Sequence, residues 1–305
     1  MGIVLSLLLA AQAVAHALEM YAFTNRGPEL RDSASVIDAE FNRRIALAVD
    51  AGNRGIASGK YKPCLAQDSY HAGYQPPQYP SSIYDPLVDI LTRDDRLGYW
   101  TGGMAGTEAI EDWLEGSPEI DRVLVSGADS IYRDVAFGEQ KIFASALWAG
   151  YGMSSLIRVG DHRIGIDKIS HMASLGYTLF TKQRTSHLSS ETDYFASASA
   201  ESGTYGTDVS GIFSHADMAA NSAGIQFWKD VFFGTEPIVS CRSGKLVKSR
   251  DFKIADYVTL AWDEAYNCNR YDSSKSPSVA ASVAGKLREL GLSCPLSKLK
   301  CEEMK

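Results

Sequence analysis

Asp167-Lys168-Ile169-Ser170-His171, with the apolar run Met172 to Phe180 behind it, and Phe213-Ser214-His215-Ala216-Asp217-Met218-Ala219-Ala220-Asn221-Ser222-Ala223-Gly224-Ile225-Gln226-Phe227-Trp228 are the two passages that decide the fold. Both carry apolar residues at helical spacing, interrupted by polar groups that a buried helix does not need. Asp167 and His171 stand four apart and project from one helical face. Ser214, with Asp217 three residues on, reads as a variant of the capping box, its oxygen accepting a backbone N–H at a helix start. Asp217, Asn221 and Gly224 share a face, so Gly224 leaves room for another helix and Asn221 satisfies exposed backbone. Asp167 reads as the cap of its own helix, with Lys168 in solvent and His171 a satisfied core residue. Between the passages a small-residue segment, Ala196 to Ala200, closes on Glu201-Ser202-Gly203.

Outward from these passages the chain reads as helices joined by Gly- and Tyr-rich loops. Leu156 to Ile166 alternates around Gly160-Asp161, a small hairpin feeding into Asp167. Pro237 to Ser240 and Lys245 to Lys248, around Arg242-Ser243-Gly244, form a second hairpin. Upstream, Ser35 caps a helix whose Ile37, Phe41, Ile45 and Val49 recur every four residues, with Gly52 as its stop. Asn53 to Asp85 loosens into a long loop with Tyr61, Tyr70, Tyr74, Tyr79 and Tyr84. These rings either stack on sugar faces or pin the loop to the helices. Shorter helices are expected at Pro86 to Leu91, at Glu108 to Glu115 (capped by Thr107 and stopped by Gly116), at Ile254 to Tyr266, and at Val279 to Leu290 before Gly291. A longer one is expected over Ile131 to Tyr151, where Glu139 follows Gly138. The fold class is mainly α: a single helical domain with two small β-hairpins.

Composition narrows the destination. Net charge is −7, and no Lys/Arg cluster interleaves with aromatics, so nucleic acid is not an expected partner. Gly2 to Ala17 is a short apolar run ending Ala15-His16-Ala17, the small-x-small pattern of a secretory leader. The expected division is a leader over residues 1–17 and a mature domain over 18–305, periplasmic or secreted and not inserted in the membrane. In that compartment the five cysteines are informative. The simplest arithmetic gives two bridges among Cys241, Cys268, Cys294 and Cys301, with Cys64 left over.

The order Asp167-Lys168-x-x-His171, an apolar helix, Glu201, then Ser214-x-x-Asp217-x-x-x-Asn221-x-x-Gly224 resembles the signature of the VanZ-like proteins and related bacterial envelope lipoproteins. The resemblance implies a shared helical polar cluster. The departure is that these helices carry more Ser, Thr and charge than a lipid-embedded helix. Ala200-Glu201-Ser202, Gly211-Ile212-Phe213 and Asn221 to Trp228 are also similar to the motifs of lysozyme-like lytic transglycosylases. Ser214 stands where that family has Gln. This second resemblance implies a lysozyme-like domain acting on glycans.

Among reaction classes, a Gly-x-Ser-x-Gly elbow, a P-loop and a dinucleotide fingerprint are all lacking from the sequence. What remains is a carboxylate-centred site in an exported, acidic protein, for which a cell-wall glycan such as peptidoglycan is the natural partner. Glycosidic cleavage needs a carboxylic acid kept protonated by an apolar pocket, with a second carboxylate nearby. Glu201 and Glu139 are the candidate acids, with Asp208 or Asp217 as the catalytic partner. Tyr205, Ser214, His171, Asp217 and Asn221 are the candidate substrate contacts. No cofactor is called for. Two rival readings stand beside the hydrolase: a non-enzymatic envelope protein whose polar set is a buried network, and a metal-dependent hydrolase using Asp167, His171, Glu201 and Asp208.

Overall fold

The computed structural model describes residues 22–65, 80–92, 108–124, 130–132, 154–186, 198–199, 202, 212–233, 235–271 and 277–296. The expected leader, most of the tyrosine loop and most of the expected helix over 131–151 lie outside them. Ile131 and Tyr132, at the start of that expected helix, are in a turn. The described part is mainly helical with three small two-stranded antiparallel sheets: the two hairpins the sequence implies and one strand pair it does not announce. Among the described residues no helix is long and apolar enough to cross a membrane.

Helix α1, Ala34–Ala57, buries Ile37, Phe41, Ile45 and Val49 on one stripe. It starts after Ser33 rather than Ser35, and it runs straight past Gly52. That glycine is a crossing point rather than a stop: a Cβ there would lie 1.9 Å from the Ser82 carbonyl oxygen of α2, Ser81–Thr92. Helix α2 begins earlier than Pro86, because Ser82, Ile83 and Tyr84 are buried in its first turn. Tyr84, expected in the loop, is therefore helical, and its hydroxyl donates to the Trp228 carbonyl at 2.8 Å. Helix α3, Glu108–Gly116, ends at its glycine as expected.

Strands β1, Leu156–Val159, and β2, His162–Gly165, pair with Ile157 opposite Ile164, turning through Gly160 at φ +57°. The chain then passes directly into α4, Ile166–Ser170. A single π turn, His171–Leu175, follows, and α5, Gly176–Ser186, continues the same helix. Strand β3, Ile212–Phe213, precedes α6, His215–Phe232, whose Ser214 accepts the Asp217 N–H as the sequence predicts. The second hairpin pairs β4, Val239–Arg242, with β5, Lys245–Lys248. Its turn places Ser243 at φ +50° and Gly244 at φ +78°, the left-handed pair a two-residue hairpin demands.

The helix expected over Ile254 to Tyr266 does not form. Two short 3-10 turns, Ile254–Asp256 and Leu260–Trp262, take its place. Thr259 is extended and caps the second turn by accepting the Ala261 N–H, and the run Tyr257-Val258-Thr259 has weak helical preference. Strand β6, Arg270–Tyr271, then pairs with β3, and α7, Pro277–Glu289, ends shortly before Gly291.

The main core gathers α1, α2, the π turn, α5, α6 and the second hairpin around Phe41, Tyr84, Phe180, Phe227, Trp228 and Phe252. Phe41 and Phe252 stack with centroids 4.4 Å apart. A smaller core joins Phe23, Leu156, Ile212 and Ala265 to Val279 and Val283 of α7. Two disulfides staple the molecule, and their pairing corrects the arithmetic. Cys64 is not left over but bonds Cys241, tying the chain beyond α1 to the second hairpin. Cys268 bonds Cys294. Spacing along the chain could not reveal a partner 177 residues away, and Cys301 lies outside the described residues.

Candidate functional site

The two passages that open the sequence meet where α4 and the π turn cross α6. The crossing needs glycine on both sides. A Cβ on Gly224 would lie 2.3 Å from the Met172 carbonyl oxygen, and one on Gly176 would lie 2.5 Å from the Gly224 Cα. This is the close helix approach that the position of Gly224 predicts. Trp228, fully buried, donates its indole N–H to the Ala173 carbonyl at 2.8 Å inside the π turn.

One end of this crossing is a buried cluster of charges. Its centre is Lys168, which the sequence placed in solvent and which is 0% exposed. Its ammonium donates to Asp167 Oδ2 at 2.6 Å and lies 2.5 Å from both Asp217 Oδ1 and Glu264 Oε1. The latter two are buried ion-pair contacts that reach across to α6 and to the chain after the second 3-10 turn. Asp167 is not a helix cap. Gly165 occupies that position, and the Asp167 backbone N–H donates to Ser154 Oγ at 3.0 Å. Its carboxylate turns inward because the short hairpin delivers α4 with this first turn against the core.

His171 sits beside the cluster. Its Nδ1 is 3.1 Å from Asn221 Oδ1, and its Nε2 is 3.4 Å from Asp217 Oδ2. Both ring nitrogens thus face oxygens of α6. The ring is 17% exposed, whereas Asp167, Lys168, Asp217 and Glu264 are buried.

Two carboxyls that sequence reasoning passed over complete the set. Glu264 follows the second 3-10 turn, and its Oε2 accepts from Asn269 Nδ2 at 3.1 Å. Burial pushes its pKa up to about 7; the charges of Asp217 and Asp167 add to this, and Lys168 opposes it. Glu111 of α3 is also buried, and burial, followed by the charge of Asp167, raises it well above the ordinary carboxyl range. Its Oε1 has no hydrogen-bond partner. For Asp217, burial is again the largest influence and acts upward, but the charges of His171 and Lys168 outweigh it and hold the group below its ordinary value. The signal for Glu264 was present in the sequence: an acidic pair, Asp263-Glu264, inside the apolar run from Val258 to Tyr266. Asp263 finds its own partner in a buried two-fold hydrogen bond from Arg26, at 2.8 and 2.6 Å.

Of the sequence-derived site residues, the structure brings together His171, Asp217 and Asn221, with Ser214 capping α6 beneath them. Glu201, Glu139, Asp208 and Tyr205 lie outside the described residues. Asp167, Asp217 and Glu264 each offer a carboxylate oxygen within the span of a metal site. The Lys168 ammonium already fills the place among them that a cation would take. Comparison with protein-family models, with curated proteins and with solved structures gives no match to this chain.

Proposed function

We propose that the chain is an exported, non-enzymatic protein of the cell envelope, in which the Lys168 cluster is a buried framework that fixes the helix crossing. The observation that carries this reading is the closure of the cluster around Lys168. Its ammonium, with no exposure, is matched against three carboxylates. The most exposed member, His171, has both ring nitrogens facing oxygens of α6. A general acid or base must present a nitrogen or oxygen to substrate, and these groups are turned toward each other. Two disulfides and the lack of a membrane-crossing helix among the described residues are compatible with an extracellular or periplasmic location. The resemblance to VanZ-like proteins supports the same reading, since what it implies is a helical polar cluster.

The test is direct. Purified protein is incubated with peptidoglycan, acetylated and deacetylated, from about pH 4 to pH 8, the range in which glycosidase carboxyls work. No soluble fragments are expected. Fragment release that disappears in Glu201→Gln or Glu139→Gln would overturn the proposal in favour of a glycan hydrolase.

A further inference from the structure

Glu264 is the one wall of the charge cluster that no regular element carries. Asp167 and Lys168 ride on α4 and Asp217 on α6, each fixed by a helix. Glu264 lies in a run of turns: Tyr266 and Asn267 both donate backbone N–H groups to the Asp263 carbonyl, at 2.9 and 2.8 Å. What positions this run comes from the far side of the C-terminal helix. The Cys294 sulfur sits 3.5 Å from the carbonyl oxygens of both Glu264 and Ala265. The Leu296 N–H donates to the Ala265 carbonyl at 2.8 Å. The bond from Cys294 to Cys268 closes a loop that begins four residues after Glu264. Asn269, next to Cys268, supplies the hydrogen bond to the Glu264 carboxylate.

We propose that the Cys268–Cys294 disulfide is a redox latch that seats Glu264 against Lys168, so that the buried charge cluster is complete only in the oxidised chain. Reduction breaks the S–S bond with two electrons and two protons from a dithiol reductant, leaving two Cys thiols. The 294–296 segment then loses its covalent hold on the Glu264 turn, and the ammonium of Lys168 loses one of its three carboxylates. The Cys64–Cys241 bridge has no such role. It joins the hairpin to the chain after α1, and neither cysteine is near the cluster in sequence or among its contacts. The latch does not depend on the non-enzymatic reading: peptidoglycan cleavage would overturn that reading and leave the latch standing.

The experiment compares two double variants, Cys268→Ser/Cys294→Ser and Cys64→Ser/Cys241→Ser. The Glu264 carboxyl titration is followed by carbon-13 NMR and assigned by its disappearance in Glu264→Gln. In the wild type it should centre near 7. It should fall toward the ordinary carboxyl range when the 268–294 pair is removed, and stay in place when the 64–241 pair is removed. An unchanged Glu264 titration in folded Cys268→Ser/Cys294→Ser would overturn the latch. Should that variant not fold, the wild type is titrated with dithiothreitol while acetylation of Lys168 is read by mass spectrometry. Opening of Cys268–Cys294 should raise Lys168 labelling by roughly tenfold or more while helical circular dichroism is retained, as a local opening does. Labelling that rises only together with loss of the whole helical signal would overturn the proposal.

Discussion

The crossing of α4, the π turn and α5 over α6 is held in two different ways along its length. Around Gly176 and Gly224 the backbones touch and there is no room for another atom. At Lys168 the same helices are held by charges that have been taken out of water and matched to one another. The first kind of contact is intolerant of added volume. The second is intolerant of a missing partner, because a buried carboxylate whose counter-charge is removed keeps its full desolvation cost.

The largest expected effect breaks the charged end. Lys168→Met removes the ammonium and leaves Asp167, Asp217 and Glu264 facing one another, which should cost roughly 3–5 kcal/mol of stability. Denaturant unfolding measures it, and a loss below about 1 kcal/mol would mean that the ammonium does not hold those carboxylates. The counterpart at the packed end is Gly224→Ala. Its methyl must displace the Met172 carbonyl, and overpacking of this kind costs roughly 1–3 kcal/mol. Adding Gly176→Ala should give less than the sum of the two single costs, since the glycines meet at one point and one backbone shift relieves both.

The ends should also differ in pH dependence. Glu264 has a folded pKa of about 7, against an ordinary 4.5. The folded state therefore binds its proton more tightly than the unfolded chain does. Its contribution to stability is fully present below 4.5 and is lost as pH rises through about 7. Glu111, also raised, acts in the same direction. Asp217, held below 3.8, does the reverse and loses its contribution only as pH falls through that lower value. Melting temperature should accordingly decline from about pH 5 toward pH 8. Glu264→Gln should flatten part of that decline, while Gly224→Ala should lower the whole curve without changing its slope. The smallest effect is at the cap that starts α6: Ser214→Ala should cost about 1 kcal/mol. A much larger loss in the same unfolding measurement would place Ser214 within the charge network rather than only at the helix end.

How much of this was legible in the sequence depended on distance along the chain. The two hairpins, the Ser214 cap and the close approach at Gly224 rest on neighbours a few residues apart, and their patterns could be read directly. Lys168 was misread because a lysine beside a helix start is usually solvated. Nothing within its own helix shows that Asp217 and Glu264, on distant segments, converge on it. Glu264 was hidden for a second reason. The expected helix over 254–266 would have carried it on a regular face, whereas the extended Thr259 breaks that helix and turns the carboxyl inward. Gly52 shows the same limit in an apolar setting, since only the presence of Ser82 distinguishes a crossing glycine from a terminating one.

The π turn at His171–Leu175 gives the helix a phase it would otherwise lack. The Gly176 N–H reaches back five residues to the His171 carbonyl, so the turn holds one residue more than an α-helical turn. Each residue of an α-helix rotates its successors by about 100°. Deleting a single residue such as Ser174 would restore the ordinary repeat and, with Gly176 kept against Gly224, swing Lys168 by that angle away from Asp217 and Glu264. With Lys168 kept in place, the glycine would instead rotate out of the crossing and a side chain would rotate in. That one surplus residue is the timing mark by which backbone contact and charge pairing occur on the same side of one helix.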